Sequence, residues 1–426
     1  MPGDAAYASC VAVWAKSEAR PKAVLVCRST SDVQSAVRVA RQAALPLSVR
    51  AGGHDWACRS LCDGLVLDLT AMRTSQLAPD RSWVSIGGGT RGRDLFVHTD
   101  PIGMAPVTGS MGAVGLAGLT LGGGYGALVG RYGLASDNLV GAEVVLADGE
   151  IVRAEADDAE LLWALRGGGG NFGVVTTLDI RLHPMPSVYA GMVLYPFEAA
   201  QTVFEGASAI CAASSDDLGL QIGIIPTPNG PLVSLAPTWI GDPAAGEAQL
   251  APLLALATPI MADIRHRPYG ESRAIFDGFL IDGRRTVIQP IWIAALTAEI
   301  ANILIERIVR QPSPLCSVMT HQFRGAATRI EPTASAFGFR DPHMMIEIMA
   351  QADAETVDFS AEQAWARETV EALQPFSLRG AYANLLQPGD PARSAWSFGP
   401  NAARLNAAKR RFDPDNVFSS AIPLPS

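Results

Sequence analysis

The chain has 426 residues, a length that allows two domains of ordinary size or three small ones. Hydrophobic residues make up 48% and charged residues 18%, against a globular average of about 25% charged, so a disordered chain is not expected. The net charge of −9 disfavours nucleic acid and anionic membranes as partners, and a small neutral or cationic ligand fits it better.

Lysine is scarce: only Lys16, Lys22 and Lys409 are present, and they lie in segments that read as surface. A nucleotide-binding P-loop and a pyridoxal phosphate enzyme both need a lysine in a defined setting, which none of the three has. The His-Glu-x-x-His zinc motif and the Gly-x-Ser-x-Gly nucleophile elbow are also missing. Six scattered cysteines indicate reduced thiols, and the sequence contains no signal peptide pattern or apolar run of membrane-spanning length. We therefore expect a cytoplasmic protein without a membrane partner.

Residues 22–90 alternate short apolar runs with one amphipathic segment, as in an α/β unit. Strands are predicted at 23–27, 45–49, 64–69 and 83–86. Between the first two strands, Ser31-Asp-Val-Gln34 has the pattern of a capping box that opens a helix.

Residues 103–133 contain too many glycines for a regular helix or strand, which indicates a main chain that lies close to something else. The turn Ala147-Asp-Gly149 then joins two predicted strands, 139–146 and 150–153, as a hairpin. Asp158 is predicted to cap a short helix ending at Leu165, and a further strand follows at 174–182.

From about 186 to 380 the glycine content falls and predicted strands (220–225, 315–322, 344–349) are mixed with predicted helices (298–309, 361–373). This pattern indicates a second domain, in which helices cover a sheet. A last helix over 401–412 is predicted to stop at Asp413-Pro414.

Four glycine clusters, at 52–53, 87–89, 122–126 and 167–173, lie in the first part of the chain. Main-chain N–H groups in such clusters can line an anionic ligand without lysine or arginine. Turns would explain any one cluster, but four together favour a dinucleotide. A nicotinamide Rossmann site needs Gly-x-Gly-x-x-Gly between a strand and a helix, a context that no segment provides, so flavin is the better candidate.

Five motifs occur in a characteristic order: Arg50-Ala-Gly-Gly-His54, the glycine-rich stretch 109–126, Tyr132-Gly-Leu-Ala-Ser-Asp-Asn138, the segment 163–175, and Phe412-Asp-Pro-Asp-Asn-Val-Phe418. In this combination the chain resembles the berberine-bridge-enzyme-like flavoprotein oxidases, which have the vanillyl-alcohol-oxidase type of FAD-binding fold, and within them the 6-hydroxy-D-nicotine oxidase branch. The resemblance implies an α+β fold. An FAD-binding domain of the PCMH type with two α/β subdomains would span 1–185. A substrate-binding domain with an antiparallel sheet covered by helices would span 186–384, and a C-terminal segment, 385–426, would return to the FAD domain.

In that family the histidine of Arg-x-Gly-Gly-His carries the flavin through a covalent bond, so the resemblance implies this role for His54. Many relatives make a second bond from a cysteine, and Met111 stands at that position here. A thioether cannot add to the flavin as a thiolate would, so we expect a single covalent link to FAD. The family position that gates dioxygen is Val114, which points to an oxidase.

The matching motifs imply further contacts with FAD, mostly through main-chain groups: Arg50, Gly52, Gly53, Gly112, Gly115, Gly118, Leu119, Gly122, Gly123, Gly126, Asn138, Asn171, Gly173, Val175 and Asn416. No metal site is predicted. On a helix, His54, Cys58 and Cys62 would align as metal ligands, but the two glycines before His54 disfavour a helix there.

On the substrate side, a strand over 315–322 would put Thr320 and Gln322 on one face and His321 on the other. In the family, the strand before Phe-x-Gly often points a Glu or Gln at the flavin, and Gln322 matches that position. A glutamine can orient a polar group but cannot be a strong base. A plain surface position explains Gln322 equally well.

Many sugar-alcohol oxidases of the family carry Tyr-x-Asn-Tyr near the C-terminus, where the second tyrosine serves as base. The corresponding segment here is Tyr382-Ala-Asn-Leu385, so that tyrosine is missing. Tyr382 and Asn384 stay candidate pocket residues. Glu347, on a predicted central strand, is a candidate base if it is buried and a surface residue if it is not.

The expected reaction is that of an FAD-dependent oxidase, in which flavin N5 takes a hydride from a small amine, alcohol or natural-product substrate. Dioxygen then reoxidises the flavin and forms hydrogen peroxide. An amine is attractive because it can lose a hydride without the stronger base that an alcohol needs. Two alternatives stay open: a flavin-containing drug-binding or self-resistance protein with little turnover, and an oxidative cyclase of secondary metabolism. We expect a monomer or homodimer.

Overall fold

The computed structural model describes residues 1–155, 158–387 and 391–425, without the side chains of residues 391 and 392. Within these ranges the strands are β1 (Ala23–Val26), β2 (Leu47–Arg50), β3 (Leu65–Asp68), β4 (Ser75–Leu77), β5 (Trp83–Gly87), β6 (Met104–Pro106), β7 (Leu139–Val145), β8 (Ile151–Ala154), β9 (Val174–Pro184), β10 (Val188–Pro196), β11 (Leu218–Ile225), β12 (Leu232–Trp239), β13 (Met261–Arg267), β14 (Arg285–Ile293), β15 (Ser317–Phe323) and β16 (His343–Ala352). The helices are α1 (Tyr7–Val11), α2 (Thr30–Gln42), α3 (Gly92–Thr99), α4 (Leu116–Leu121), α5 (Val129–Tyr132), α6 (Ala159–Leu165), α7 (Ala200–Ala213), α8 (Gly246–Leu254), α9 (Tyr269–Ala274), α10 (Ala298–Val309), α11 (Ser360–Leu373), α12 (Pro391–Phe398) and α13 (Ala402–Phe412).

The first sheet is small and parallel, in the order β1-β3-β2, and α2 packs on it. Helix α2 begins two residues earlier than predicted, because its cap is Ser29 and not Ser31. The Ser29 hydroxyl accepts a hydrogen bond from Asp32 N at 3.2 Å, and the Asp32 carboxylate accepts one from Ser29 N at 3.0 Å. The two reciprocal bonds satisfy helix-end amides that the Ser31 pattern would have left open.

The second sheet follows the order β4-β5-β9-β7-β8, and β6 pairs with β9. The predicted β7–β8 hairpin is present, and Asp158 caps α6 by accepting a hydrogen bond from Leu161 N. The glycine-dense segment 103–133 is less irregular than predicted, because strand β6 and the two short helices α4 and α5 form within it. Between these helices Gly123 and Gly124 have φ of 126° and 87°, and only glycine adopts the first of these without strain.

The third sheet has seven strands in the order β13-β10-β12-β11-β15-β16-β14, and all neighbours are antiparallel. Helices α7, α8, α10 and α11 cover one face and share its large apolar core. The opposite face of the central strands is turned toward the first two sheets. The α+β fold with a helix-covered antiparallel sheet is therefore confirmed.

After the third sheet the chain crosses back to the first two. Leu405 and Phe412 of α13 pack in the core of the second sheet, and Phe418 packs in the core of the first. Lys409 ties this segment down, since its amine donates to Asn171 O at 2.9 Å and to the Asp413 carboxylate at 2.6 Å. Among the described residues, no helix has both the length and the apolar composition needed to cross a bilayer.

Candidate active site

A cavity of about 370 Å³ lies between the loops of the first two sheets and the open face of the third. Its volume falls in the range of about 300–1,000 Å³ that is usual for small-molecule sites. Residues of the glycine-rich loops form one wall, and residues of β11, β15 and β16 form the other. The cavity also reaches Leu47, Val49 and Leu69 of the first sheet and Phe418 of the C-terminal segment, so it is elongated across both halves of the fold.

His54 stands in the loop after β2 and lines the cavity. Its imidazole stacks on the Trp14 indole, with ring centroids 4.3 Å apart and planes inclined by 25°. Burial lowers the pKa of His54 to about 4, against the opposing charges of Glu347, Asp282 and Asp55. The ring is therefore neutral at pH 7 and keeps a nucleophilic lone pair.

The glycines of two loops make the close approach around His54 possible. Gly52 and Gly115 face each other, and a Cβ on Gly52 would lie 2.5 Å from Gly115 Cα. No side chain fits between these backbones, so glycine is required at both positions. Met111 and Val114, in the second of the two loops, line the cavity beside His54.

Three neighbouring strands bring a polar group to the opposite wall. His321 on β15 lies 3.1 Å from Glu347 on β16, measured from Nε2 to Oε1, and both side chains are mostly buried. Gln221 on β11 lies 3.3 Å from the other ring nitrogen, Nδ1. The imidazole is thus held from both sides, and the pair His321–Glu347 can accept and share a proton.

Tyr382 and Asn384 close the cavity from the C-terminal side. The Tyr382 hydroxyl accepts hydrogen bonds from Gly124 N and Asn384 Nδ2, each at 3.0 Å, and Asn384 also donates to Gly118 O at 3.2 Å. Burial raises the pKa of Tyr382 to about 12, so this phenol stays protonated at neutral pH and is a poor base. Leu385 lines the cavity next to them.

Comparisons with known proteins agree with this architecture. The FAD binding domain family matches residues 21–155, and the family described as berberine and berberine like matches residues 381–425. The FAD-linked oxidoreductase aurO of Gibberella zeae is 31% identical over 92% of this chain and 79% of its own length. The chain belongs to the berberine-bridge-enzyme-like FAD-linked oxidoreductases.

Other relatives place this oxidoreductase in the same group. The (R)-6-hydroxynicotine oxidase of Paenarthrobacter nicotinovorans is 29% identical over 98% of this chain and 94% of its own. The crystal structure of 6-hydroxy-D-nicotine oxidase from Arthrobacter nicotinovorans superimposes with a TM-score of 0.90 at 28% identity, over 99% of this chain and 96% of that one. A berberine bridge enzyme structure, 20% identical, shares the fold with a TM-score of 0.86 and covers 96% of this chain and 90% of its own. The cofactor of the oxidoreductase is accordingly FAD.

The residues of the cavity fit FAD. Gly118 in α4 and Gly170 both line the cavity, and a Cβ at either would meet no atom within 4 Å. Neither residue has a left-handed φ. Neither the backbone conformation nor a lack of space in the protein therefore requires glycine at these two positions. A flat ligand lying against the main chain does explain it, because a side chain would fill its space.

Most of the residues that the sequence predicted for the site line this one cavity. The cofactor candidates found there are His54, Gly52, Gly53, Met111, Val114, Gly115, Gly118, Leu119, Gly173 and Val175. The substrate candidates found there are Tyr382, Asn384 and Glu347.

The prediction that Gln322 points at the cavity is wrong. Its amide contacts the Cys211 thiol in the helix layer on the other face of the sheet. His321, one residue earlier, takes the cavity side, because neighbouring residues of a strand point to opposite faces. The alternation of faces along β15 was predictable from the residues, but choosing the correct face needed the position of the sheet relative to the cavity.

Several cofactor candidates support the loops and do not line the cavity. Arg50 donates to Cys10 O and Ala12 O and pairs with Asp68 at 3.3 Å. The others are fixed by main-chain or packing contacts. Asn138 donates to Tyr132 O and Leu134 O, Asn171 donates to Gly168 O and Ile422 O, Asn416 sits in a turn with φ of 51°, Gly112 accepts from Arg93 N, Gly122 abuts Asn384, Gly123 abuts Phe337, and Gly126 abuts Thr108 O.

Cys58 and Cys62 do not join His54 as a metal site. Their thiols face main-chain carbonyls, those of Ala15 and Pro46 among them. Across the described part of the chain, no group of three or more His, Cys, Asp and Glu side chains is arranged to hold a metal ion.

Proposed function

We propose that this oxidoreductase is an oxidase of small amines, with FAD linked to His54 and the substrate held against the His321–Glu347 pair. Bound FAD would supply the redox chemistry, as the acceptor of a hydride from the substrate carbon and the donor of two electrons to dioxygen, which with two protons would leave as hydrogen peroxide. The position of a buried carboxylate–imidazole pair across the cavity from His54 is the observation that carries the proposal.

The substrate wall combines one polar group with an apolar surface. Met319, Met345 and Met349 line the cavity around Glu347. Methionine side chains adapt to the shape of an apolar ligand and exclude water from it. An apolar amine can therefore rest on the methionines while its nitrogen meets the carboxylate.

The His321–Glu347 pair prepares the amine for oxidation. An ammonium cannot lose a hydride, so its proton must first leave. Glu347 attracts the cation and accepts its proton, which the adjoining His321 ring shares, and a neutral amine is left. Tyr382, whose pKa is about 12, cannot serve as this acceptor at neutral pH and orients the substrate instead.

His54 is suited to carry the cofactor covalently. Its pKa of about 4 leaves the ring neutral, so a nitrogen lone pair is available for bond formation at neutral pH. Stacking on Trp14 fixes the orientation of the ring. Met111 offers no thiolate for a second bond, and the neighbouring Val114 leaves room for dioxygen.

The proposal is tested on the purified yellow holoprotein. Amines are mixed with it anaerobically, and loss of the flavin absorbance is followed by stopped flow. Glu347→Gln should slow this reduction by about 10²–10⁴-fold, the usual worth of a positioned base. Gln289→Asn, on the neighbouring strand β14 and lining neither cavity, should leave the rate within twofold.

Two results would contradict the proposal. Equal rates for the two variants would remove Glu347 from proton transfer, and tight amine binding without loss of colour would favour a binding protein over an oxidase. The tether is checked separately: acid-precipitated wild type should stay yellow, and His54→Ala should release its flavin. Oxygen uptake matched by hydrogen peroxide completes the test of an oxidase.

A further inference from the structure

A second, polar chamber of about 20 Å³ adjoins the main cavity and is called the Arg273 chamber below. Ser110, Gln221 and His321 line both spaces and form the partition between them. Arg273, Gln322 and Arg324 complete its polar lining. A void needs about 10–15 Å³ to hold one water molecule, so this chamber accepts one or two groups of that size.

Arg273 is buried without a counter-ion. Arg273 is only 3% exposed, yet no carboxylate of the described residues lies within 4.0 Å of its guanidinium. Its Nη2 donates to Thr238 Oγ1 at 2.8 Å and its Nε donates to Ser272 Oγ at 3.1 Å. Nη1 has no hydrogen-bond partner in the described part of the chain.

Other buried arginines of the chain do have carboxylate partners. Arg340, 5% exposed, meets Asp137 at 2.8 Å, and Arg267, 4% exposed, meets Asp263 at 3.1 Å. Arg324 at the chamber wall also has an acidic neighbour, Asp216, at 3.8 Å. Arg273 thus departs from the pattern, and an unpaired buried charge is costly to a fold unless a partner arrives from outside.

We propose that the Arg273 chamber binds a small anion, either a free halide-sized ion or a carboxylate of the substrate that reaches past Ser110 and Gln221. The volume suits these groups and excludes a phosphate with its four oxygens. A guanidinium with a free N–H is the donor that such an anion needs. The carboxylate source rests on the proposed function, whereas binding of a free ion does not.

The first experiment uses bromide, which scatters anomalously. Crystals of the wild-type holoprotein soaked in sodium bromide should show an anomalous peak beside Arg273 Nη1. In solution, bromide at tenfold its Kd should raise the Tm by about 1–2 °C. Arg273→Gln should lose this response, whereas the matched variant Arg267→Gln, whose arginine already has a carboxylate, should keep it.

The second experiment separates the two sources of the anion. Benzoate and its neutral counterpart benzamide are titrated into the holoprotein, and the flavin spectrum reports binding in the main cavity. Benzoate binding roughly tenfold tighter than benzamide, displaced by bromide and lost in Arg273→Gln, assigns the chamber to a substrate carboxylate. A bromide peak with equal binding of the two probes assigns it to a free ion.

The proposal is overturned if wild-type crystals give no bromide peak at Arg273 and benzoate gains nothing over benzamide. The chamber would then hold water alone. Should Arg273→Gln fail to fold, Arg273→Lys retains the charge and is expected to retain the bromide response, and the wild-type measurements stand without either variant. None of these readouts requires turnover, so a failed amine oxidation and a failed anion site are told apart.

Discussion

The substitution Gly118→Ala should have opposite effects on the stability of the apoprotein and on its affinity for FAD. The added methyl group meets no atom within 4 Å, and Gly118 has no left-handed φ in α4. Glycine costs a helix about 1 kcal/mol relative to alanine. We therefore expect the free energy of unfolding of the apoprotein to rise by up to about 1 kcal/mol, measured by urea denaturation.

The same methyl group would lie in the cavity, where FAD is expected against the main chain. Overfilling a packed site by one carbon costs about 1–3 kcal/mol. This corresponds to a loss of FAD affinity of about 5- to 150-fold. The Kd is measured by quenching of flavin fluorescence in a His54→Ala background, because a covalent tether would hide a change in equilibrium binding.

Gly278→Ala is the matched control. A Cβ on Gly278 also meets nothing within 4 Å, its φ is not left-handed, and the residue does not line the cavity. Its FAD affinity should equal that of the His54→Ala parent. The reasoning is refuted if Gly118→Ala binds FAD within twofold of Gly278→Ala, since the open space above α4 would then not belong to the cofactor.

Three further outcomes are expected. Burial lowers the pKa of His343 from 6.5 to about 4, so the stability that its neutral ring contributes is complete above pH 6.5 and falls toward pH 4. The wild type therefore loses stability between pH 7.5 and pH 5, and His343→Gln should make this loss smaller by about 2 kcal/mol in urea titrations. An equal loss in the two proteins would contradict this. Arg59 Nη2 donates hydrogen bonds to Asp55 Oδ1 and to Asn384 O, both at 2.6 Å, so Arg59→Ala should lower the free energy of unfolding by about 2–3 kcal/mol. A change below 0.5 kcal/mol would mean that these two hydrogen bonds do not stabilise the fold. Val114→Leu should slow reoxidation by dioxygen in stopped flow while anaerobic reduction keeps its rate, and equal slowing of both steps would argue against a gate.

Features formed by short contiguous segments of the chain could be predicted from the residues alone. The loop Arg50-Ala-Gly-Gly-His54 and the glycine-rich stretch 109–126 predict a main chain that lies against a flavin, because glycine patterns act over a few residues. The helix over 298–309 was also predicted with the bounds that the structure has. Such features depend on local φ, capping and periodicity, which a single sequence records directly.

Which side chains meet in the cavity could not be predicted without the packing of the sheets. Gln221, His321 and Glu347 come from strands about 100 and 26 residues apart in the chain, and their approach depends on the β11–β15–β16 register. The alternation along β15 allowed either His321 or Gln322 to face the cavity, and a shift of one residue would exchange them. The absence of a carboxylate partner for Arg273 could not be predicted either, because ion pairing depends on which acidic side chains the fold brings near each arginine. Contacts between distant segments depend on how whole sheets pack against each other. That packing is set by the free energy of the entire chain, which cannot be read from any short motif.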